Sequence, residues 1–523
     1  MLFGSKWHRI IDIIALSLLC VGLFFSKAFI SIGAITFAVN WFLKKDLLVR
    51  TKSFFTDRLA WILLIVFLLH VIGLSWTHDF DYALKDLRIK LPLLLFPIAF
   101  SAFKRFSDLE TKIILGFFIS SALVSTIISY NLYLTQYPDQ ISDIRNISKY
   151  ISHIRFSLLI VMAIIFIAEG IRQRYILGKW KVIGAILILW FIYFLSVINV
   201  IGGYVALGLG ALTALIYFTR EASKKLATFF WSAFIVLFIA TGWWMYDTAK
   251  SYLTVKQDFD YSQEYTPYGD IYVTDREDKR VENGYYITHF VAYGELRKTW
   301  EKRSDIPFDS LDAKGQRIEM TMKRFITSKG LKKDRDGVMA LTDEEIKAIE
   351  NGVASVRYMD ASGIELRYLK ILFEFNNYLE GFNPQGNSLT MRLEYMKTGW
   401  HIFTQNPFLG VGTGDVQASF DRAYDELNSP LKGDYRRRAH NQLLTFLITF
   451  GAIGFALVLF SFVAPFWSEP NARSLVYILF FVVVMSSMLS EDTLETQVGV
   501  TFFAFFNSFL LQGLPRQFSN KDR

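Results

Sequence analysis

Residues 446–467 read FLITFGAIGFALVLFSFVAPFW, a run without Lys, Arg, Asp or Glu. A helix needs about 20 apolar residues to cross the hydrocarbon core of a bilayer, so this run is long enough to span one. Residues 10–26, IIDIIALSLLCVGLFFS, repeat the pattern with Asp12 as the one charge. Across 523 residues, 52% are hydrophobic and 16% aromatic, and the mean hydropathy is +0.30. One water-soluble core does not use that much apolar surface. The chain reads as an all-α polytopic membrane protein.

Breaking the apolar runs at polar residues predicts about twelve transmembrane helices. They fall at 9–27, 28–43, 58–77, 89–103, 112–133, 154–171, 181–199, 201–219, 226–246, 441–467, 473–490 and 496–513. Met1 to Arg9 is basic, but no small-residue cleavage site follows and a second apolar run begins after Lys27, so the first run is an uncleaved span. Cys20 lies within it as the one cysteine, which excludes an intramolecular disulfide and makes the thiol a packing residue.

Basic residues fall in every second connection: Lys44, Lys45, Arg50, Lys52 and Arg58, then Lys104, Arg105 and Lys112. Arg172, Arg174, Lys179 and Lys181 follow, then Arg220, Lys224 and Lys225, and finally Arg516, Lys521 and Arg523. The positive-inside rule then puts both termini in the cytoplasm and one large segment between helices nine and ten outside it. The predicted organisation is a membrane region at 1–246, an extracytoplasmic domain at 247–440, three spans at 441–513 and a cytoplasmic tail at 514–523. The same clustering accounts for the formal charge of +8 without nucleic acid as a partner, leaving membrane lipids as the surroundings. No nucleotide is supplied on the outer face, so a phosphate donor there has to arrive already joined to lipid.

Within the outer segment, 250–333 is mixed and charged, with a strand-like run at Tyr285–Tyr293 and no function legible in it. Thr342 with Glu345 forms a capping box, and Ile346, Ile349, Val353 and Val356 recur at helical spacing. A second helix is predicted at 364–378. Ser388 is predicted to cap a third, whose stripe Leu389, Leu393, Met396, Trp400 and Phe403 should pack on the mouths of the spans. After Asn406-Pro407 come Gly410, Gly412 and Gly414; such a turn can converge N–H groups on an anion or simply return the chain to the membrane. Arg436, Arg437, Arg438 and His440 then precede span ten.

Together these pieces resemble the O-antigen ligase and polymerase family of membrane glycosyltransferases. The resemblance rests on Arg392 with Trp400, Asn406-Pro407-Phe-Leu-Gly410-Val-Gly412-Thr-Gly414, Arg438-Ala-His440-Asn441-Gln442-Leu443-Leu444 and Gly451-Ala-Ile-Gly454, with Ser152-His153-Ile-Arg155-Phe-Ser157 as a further element. It implies transfer of a glycan from an undecaprenyl-diphosphate carrier to an acceptor hydroxyl, commonly on lipid A core, without metal or other cofactor. It implies a bacterial inner membrane, with the large loop in the periplasm. The family also contains polymerases and protein O-oligosaccharyltransferases. Its members usually carry an arginine near the outer start of a middle span, where this chain has Gly202-Gly203-Tyr204; Arg155 or Arg88 is left to supply that cation.

Such a transfer needs a base for the acceptor proton and positive charge for the departing oxygens. His440 is the candidate base, since a histidine is available in its neutral form near pH 7. Arg392, Arg438 and Arg155 are the candidate phosphate ligands, because a guanidinium fork can bind phosphate oxygens bidentately. Gly410, Gly412 and Gly414 complete the candidate substrate site, and Arg436 and Arg437 rank as lipid or acceptor contacts. Two rival readings remain: a metal-dependent transferase using Asp79 and Asp81, and a transporter of lipid-linked sugar using Asp12 and His70.

Overall fold

The computed structural model describes residues 5–137, 144–220, 222–256, 260–361 and 363–515. The tail predicted to be cytoplasmic, with Arg516, Lys521 and Arg523, and part of the 136–155 connection lie outside the described residues. The described chain is mostly helical. Eight of its helices are long and apolar enough to cross a membrane: Lys6–Phe25, Arg58–Trp76, Asp108–Gln136, His153–Arg172, Lys179–Ile198, Ile201–Thr219, Lys224–Leu253 and Gln442–Ser468. The other four predicted spans are helical too, yet Lys27–Leu43 and Leu475–Met488 are shorter and Gln497–Ser508 has 12 residues. Phe80–Ser101 is interrupted by Asp86, Arg88 and Lys90 and carries Pro92 and Pro97 inside it.

Contacts divide the chain into two compact units, Met1–Ser223 with Arg392–Arg523, and Lys224–Met391. This differs from the predicted boundaries of 247 and 440. The apolar helix Lys224–Leu253 packs on Gly363–Leu379, with Tyr368 Oη donating to the Met245 carbonyl at 3.0 Å, so it clusters with the domain it leads into. Residues 392–440 instead pack with the spans.

Among the eight long apolar helices His153–Arg172 is the most enclosed, with every residue from Phe156 to Ile167 buried. Aromatic edges knit its surroundings: Phe24 meets Phe118 at 5.1 Å, and Phe118 meets Phe506 at 5.2 Å. Lipid tails are as apolar as these side chains, so such contacts act through dispersion and shape rather than by removing surface from water. Asp12 and His70 are buried within the protein. Asp12 pairs with Lys44 at 2.6 Å and accepts from Asn40 at 2.7 Å. Cys20 is fully buried.

The second unit has its own core, in which Leu296, Trp300, Ile318, Met322, Phe325, Ile326 and Ile349 are all buried. Around it stand the helices Tyr293–Trp300, Ile318–Ser328 and Asp343–Glu350 and a small antiparallel hairpin pairing Val281 with Tyr286. The Thr342–Glu345 capping box forms. The helices at 293–300 and 318–328 are ones the sequence did not announce.

The helix Ser388–Gln405 departs from its predicted stripe. Ser388 is its first residue rather than its cap, and Met396 and Trp400 are exposed. The face that docks on the spans carries Tyr395, Gly399 and Ile402: a Cβ at Gly399 would lie 3.0 Å from Leu444 and Ile448 side chains. A glycine on the inner face lets the two helices approach, and that rotates the larger side chains outward.

Candidate functional site

At the entry to helix Gln442–Val463, the Asn441 side chain accepts from Leu444 N–H at 3.0 Å and donates to the Leu489 carbonyl at 3.1 Å. This N-cap ties the helix start to the turn between the last two membrane helices. His440 precedes the cap with a left-handed φ of 46°, a conformation that costs a non-glycine residue on the order of 1–2 kcal/mol. What holds it there is Asp492, which accepts from His440 N–H at 3.1 Å and from Thr445 Oγ1 at 2.7 Å. The imidazole lies against Tyr395, ring centroids 5.4 Å apart, and its Nδ1 stands 3.5 Å from Glu491 Oε2.

The cations converge on the same turn. Arg392 pairs with Glu491 Oε1, so one carboxylate faces both Arg392 and His440. Arg438 donates to Glu495 Oε2 from both terminal nitrogens, at 3.2 and 3.0 Å, and to Tyr82 Oη at 2.9 Å. Lys90, fully buried, reaches Glu495 at 2.9 Å and Asp86 at 2.6 Å. Gln442 donates to Glu495 Oε1 at 3.1 Å and accepts from Leu494 N–H at 2.7 Å.

Burial by itself would push the Glu495 carboxyl up; the charges of Lys90 and Arg438 outweigh it and hold the group well below the usual carboxylate range. Glu491 is likewise held low, burial being overcome by His440 and Arg392. Asp492 is raised, because its burial is only partly offset by Arg438.

Arg155 sits in the first turn of the enclosed helix, within electrostatic reach of Glu491 and Asp492. Its guanidinium makes no hydrogen bond or ion pair among the described residues, and its Nε is buried without a partner. A planar cation with its donors unspent is suited to an anionic ligand. Next to it, an added Cβ at Gly203 would meet Ser157 Cβ at 2.8 Å, and one at Gly202 would meet Ile154 at 3.8 Å. The helix bearing Arg155 thus packs directly against the position at which the resemblance expects an arginine. Arg88, the other option, is exposed on Phe80–Ser101. Arg436 pairs with Asp425 at 2.6 Å, and Arg437 donates to the Asp434 carbonyl at 3.2 Å.

The glycine turn does not form the anion cradle that its spacing allows. Helix Gln442–Val463 breaks at Gly451, whose φ is 63°. Ala452 and Ile453 donate to the Pro407 and Phe408 carbonyls, at 2.7 and 3.3 Å, instead of to their own helix. The Ile448 and Thr449 carbonyls so released accept from Val411 and Gly412 at 2.8 and 3.0 Å. Thr413 and Gly414 donate to the Gly73 carbonyl at 3.4 Å and to Thr77 Oγ1 at 3.1 Å. Irregular backbone at membrane depth is tolerated where protein satisfies it, and here the exchange is reciprocal. The N–H groups of residues 410–414 that would face an anion are therefore spent on the joint. A Cβ at Gly410 would lie 2.5 Å from Ile448 O, and one at Gly451 would lie 2.2 Å from Phe408 C.

Asp79 is an N-cap, accepting from Tyr82 N–H at 2.9 Å, and its own N–H donates to Asp415 at 2.9 Å. The rival aspartate pair is thereby divided, with Asp81 exposed on the helix.

Residues 345–459 match the family model described as O-Antigen ligase. That stretch is similar to O-antigen ligases. No curated protein matches the chain. The family match implies an enzyme of glycan transfer with lipid-linked glycan and acceptor substrates in the membrane, and with the apolar helices it indicates a bacterial membrane protein. The matched stretch carries Arg392, the glycine joint, Arg438 and His440. Arg155, Lys90 and the 491–495 turn lie outside it, and only the fold brings them alongside. Sequence reasoning missed the turn and Lys90. The available signal was three carboxylates, Glu491, Asp492 and Glu495, in a short connection on the face already rich in unexplained arginines.

Proposed function

We propose that the chain transfers a glycan from an undecaprenyl-diphosphate carrier to an acceptor hydroxyl, of lipid A core or a related glycan, on the outer face of the bacterial inner membrane. The observation that carries this reading is the convergence of His440 and Arg392 on Glu491, beside the unpaired Arg155. His440 Nε2 takes the proton of the acceptor hydroxyl as its oxygen attacks the anomeric carbon. The bond from that carbon to the carrier phosphate breaks, and its electron pair leaves with the diphosphate. Arg155 offers the departing oxygens a free guanidinium, and Arg392 a fork already oriented by Glu491. Arg438, closed on Glu495, positions the entry to the His440 helix and adds positive potential.

His440 Nδ1 makes no hydrogen bond but faces Glu491 Oε2 at 3.5 Å, so a proton carried on Nδ1 would be stabilised by that carboxylate and would leave Nε2 as the acceptor. Both termini lie in the cytoplasm and residues 247–440 outside it in this reading, as the basic connections require.

The experiment is a deletion strain in which glycans on lipid A core, carrier lipid and envelope proteins are compared. Undecorated lipid A core with polymer accumulated on the carrier supports a ligase. Short glycans assign a polymerase, bare proteins a protein O-oligosaccharyltransferase, and unchanged glycans on all three overturn the reading.

A further inference from the structure

Helix His153–Arg172 carries Arg155 in its first turn and Arg172 in its last, about 25 Å apart at 1.5 Å per residue. Around the Arg172 end lies a cavity of about 1170 Å³ whose walls include Leu115, Phe166, Ile183, Leu187, Val476 and Leu510. Its polar groups gather among Lys112, Arg172, Arg473, Asp108 and Glu169. Arg172 is closed on Glu169 at 2.6 and 2.5 Å. Lys112 and Arg473 have no carboxylate partner among the described residues; Lys112 lies 5.6 Å from the Tyr175 ring centroid, and Arg473 donates to the Phe466 carbonyl at 2.9 Å. Thr111 Oγ1, also on the wall, is buried without a hydrogen-bond partner. Gly116 faces the space as well, and a Cβ there would meet no atom within 4 Å.

We propose that this cavity holds one anionic glycerophospholipid of the surrounding bilayer, its acyl chains between the helices and its phosphate at Lys112 and Arg473. An apolar space of this size at membrane depth is filled by lipid rather than water, since water needs two to four polar partners. Two cations without a carboxylate partner, beside an orphaned hydroxyl, fit a phosphate, in the manner of basic pockets between membrane helices that take anionic headgroups. Asp108 is the one unneutralised carboxylate on the wall and does not cancel both cations. The chain's own end is a poor occupant, because 516–523 reads RQFSNKDR, polar and net positive like the rim. The glycan carrier is excluded by position: its proposed site is at the opposite end of the same helix.

The test is native mass spectrometry of the purified, delipidated full chain titrated with palmitoyl-oleoyl phosphatidylglycerol, palmitoyl-oleoyl phosphatidylcholine or undecaprenyl phosphate. One phosphatidylglycerol should be retained per chain, about tenfold more readily than phosphatidylcholine. Gly116→Leu, whose side chain enters the cavity, should abolish retention of both. Lys112→Gln with Arg473→Gln, at the rim, should bring phosphatidylglycerol down to the phosphatidylcholine level and keeps the test decisive if Gly116→Leu fails to fold. Equal retention of the two lipids by the unaltered chain, undiminished retention by the rim variant, or preference for undecaprenyl phosphate would each overturn the proposal.

Discussion

Glu491 stands between His440 and Arg392: Oε2 is 3.5 Å from the imidazole Nδ1, and Oε1 takes the guanidinium. His440 Nε2 makes no hydrogen bond among the described residues, so the nitrogen a base needs is unoccupied. His440→Gln keeps hydrogen-bonding capacity but cannot take a proton. With purified protein, carrier-linked glycan and acceptor, its transfer rate should fall about a hundredfold or more while carrier binding persists. A rate within severalfold of the unaltered chain would exclude the base role.

Arg392 and Arg155 should respond differently to replacement. Arg392→Lys keeps a charge but loses the planar fork shared with Glu491, so it should recover little of the transfer that Arg392→Ala abolishes. Arg155→Ala breaks no ion pair, so its melting temperature should stay close to that of the unaltered chain while the Kd for carrier diphosphate rises. Thermal unfolding beside binding isotherms separates the two; near-normal transfer by both alanine variants would remove the arginines from phosphate binding.

Glu495 joins two buried cations, Lys90 and Arg438, and removing its charge leaves Arg438 without its carboxylate and Lys90 with Asp86 alone. Glu495→Gln should lower stability by roughly 3–5 kcal/mol, the cost typical of breaking a buried pair. Its carboxyl is held below its unfolded value of 4.5, so its contribution is complete well above that pH and is lost as pH falls from there through the folded value. The gap in melting temperature between the unaltered chain and Glu495→Gln should therefore narrow on acidification below that point. A gap that widens there would contradict the pairing.

Topology is open to labelling. In a Cys20→Ser background, cysteines at Lys314 and Asp425 should react with a membrane-impermeant thiol reagent in intact spheroplasts, and one at Lys179 should not. Labelling at 179 with protection at 314 would invert the orientation.

The apolar runs were legible because lipid imposes length and composition on a helix whatever its partners, and every predicted span within the described residues is helical. Phe80–Ser101 was harder to bound: Lys90 is an unfavourable residue for a span until Asp86 and Glu495, one 405 positions away, are seen to neutralise it. The chemistry of the site divides in the same way. His440, Arg392 and Arg438 stand in a local pattern, whereas Glu491 gains meaning only through contacts across long separations. The stripe at Met396 and Trp400 misled because bulky side chains on this helix lie outward and a glycine makes the contact.

The break at Gly451 couples two distant stretches through four backbone bonds given and received in pairs. Each half satisfies the other: a continuous helix would reclaim the carbonyls of Ile448 and Thr449 and strand the N–H groups of Val411 and Gly412. Substitution in one stretch is therefore constrained by the other through main-chain geometry rather than side-chain identity. Among related sequences, residues 407–412 and 448–453 should drift together as a block, with glycines at 410 and 451 lost only jointly, and an insertion of one residue in either should be rarer than in any other outer connection.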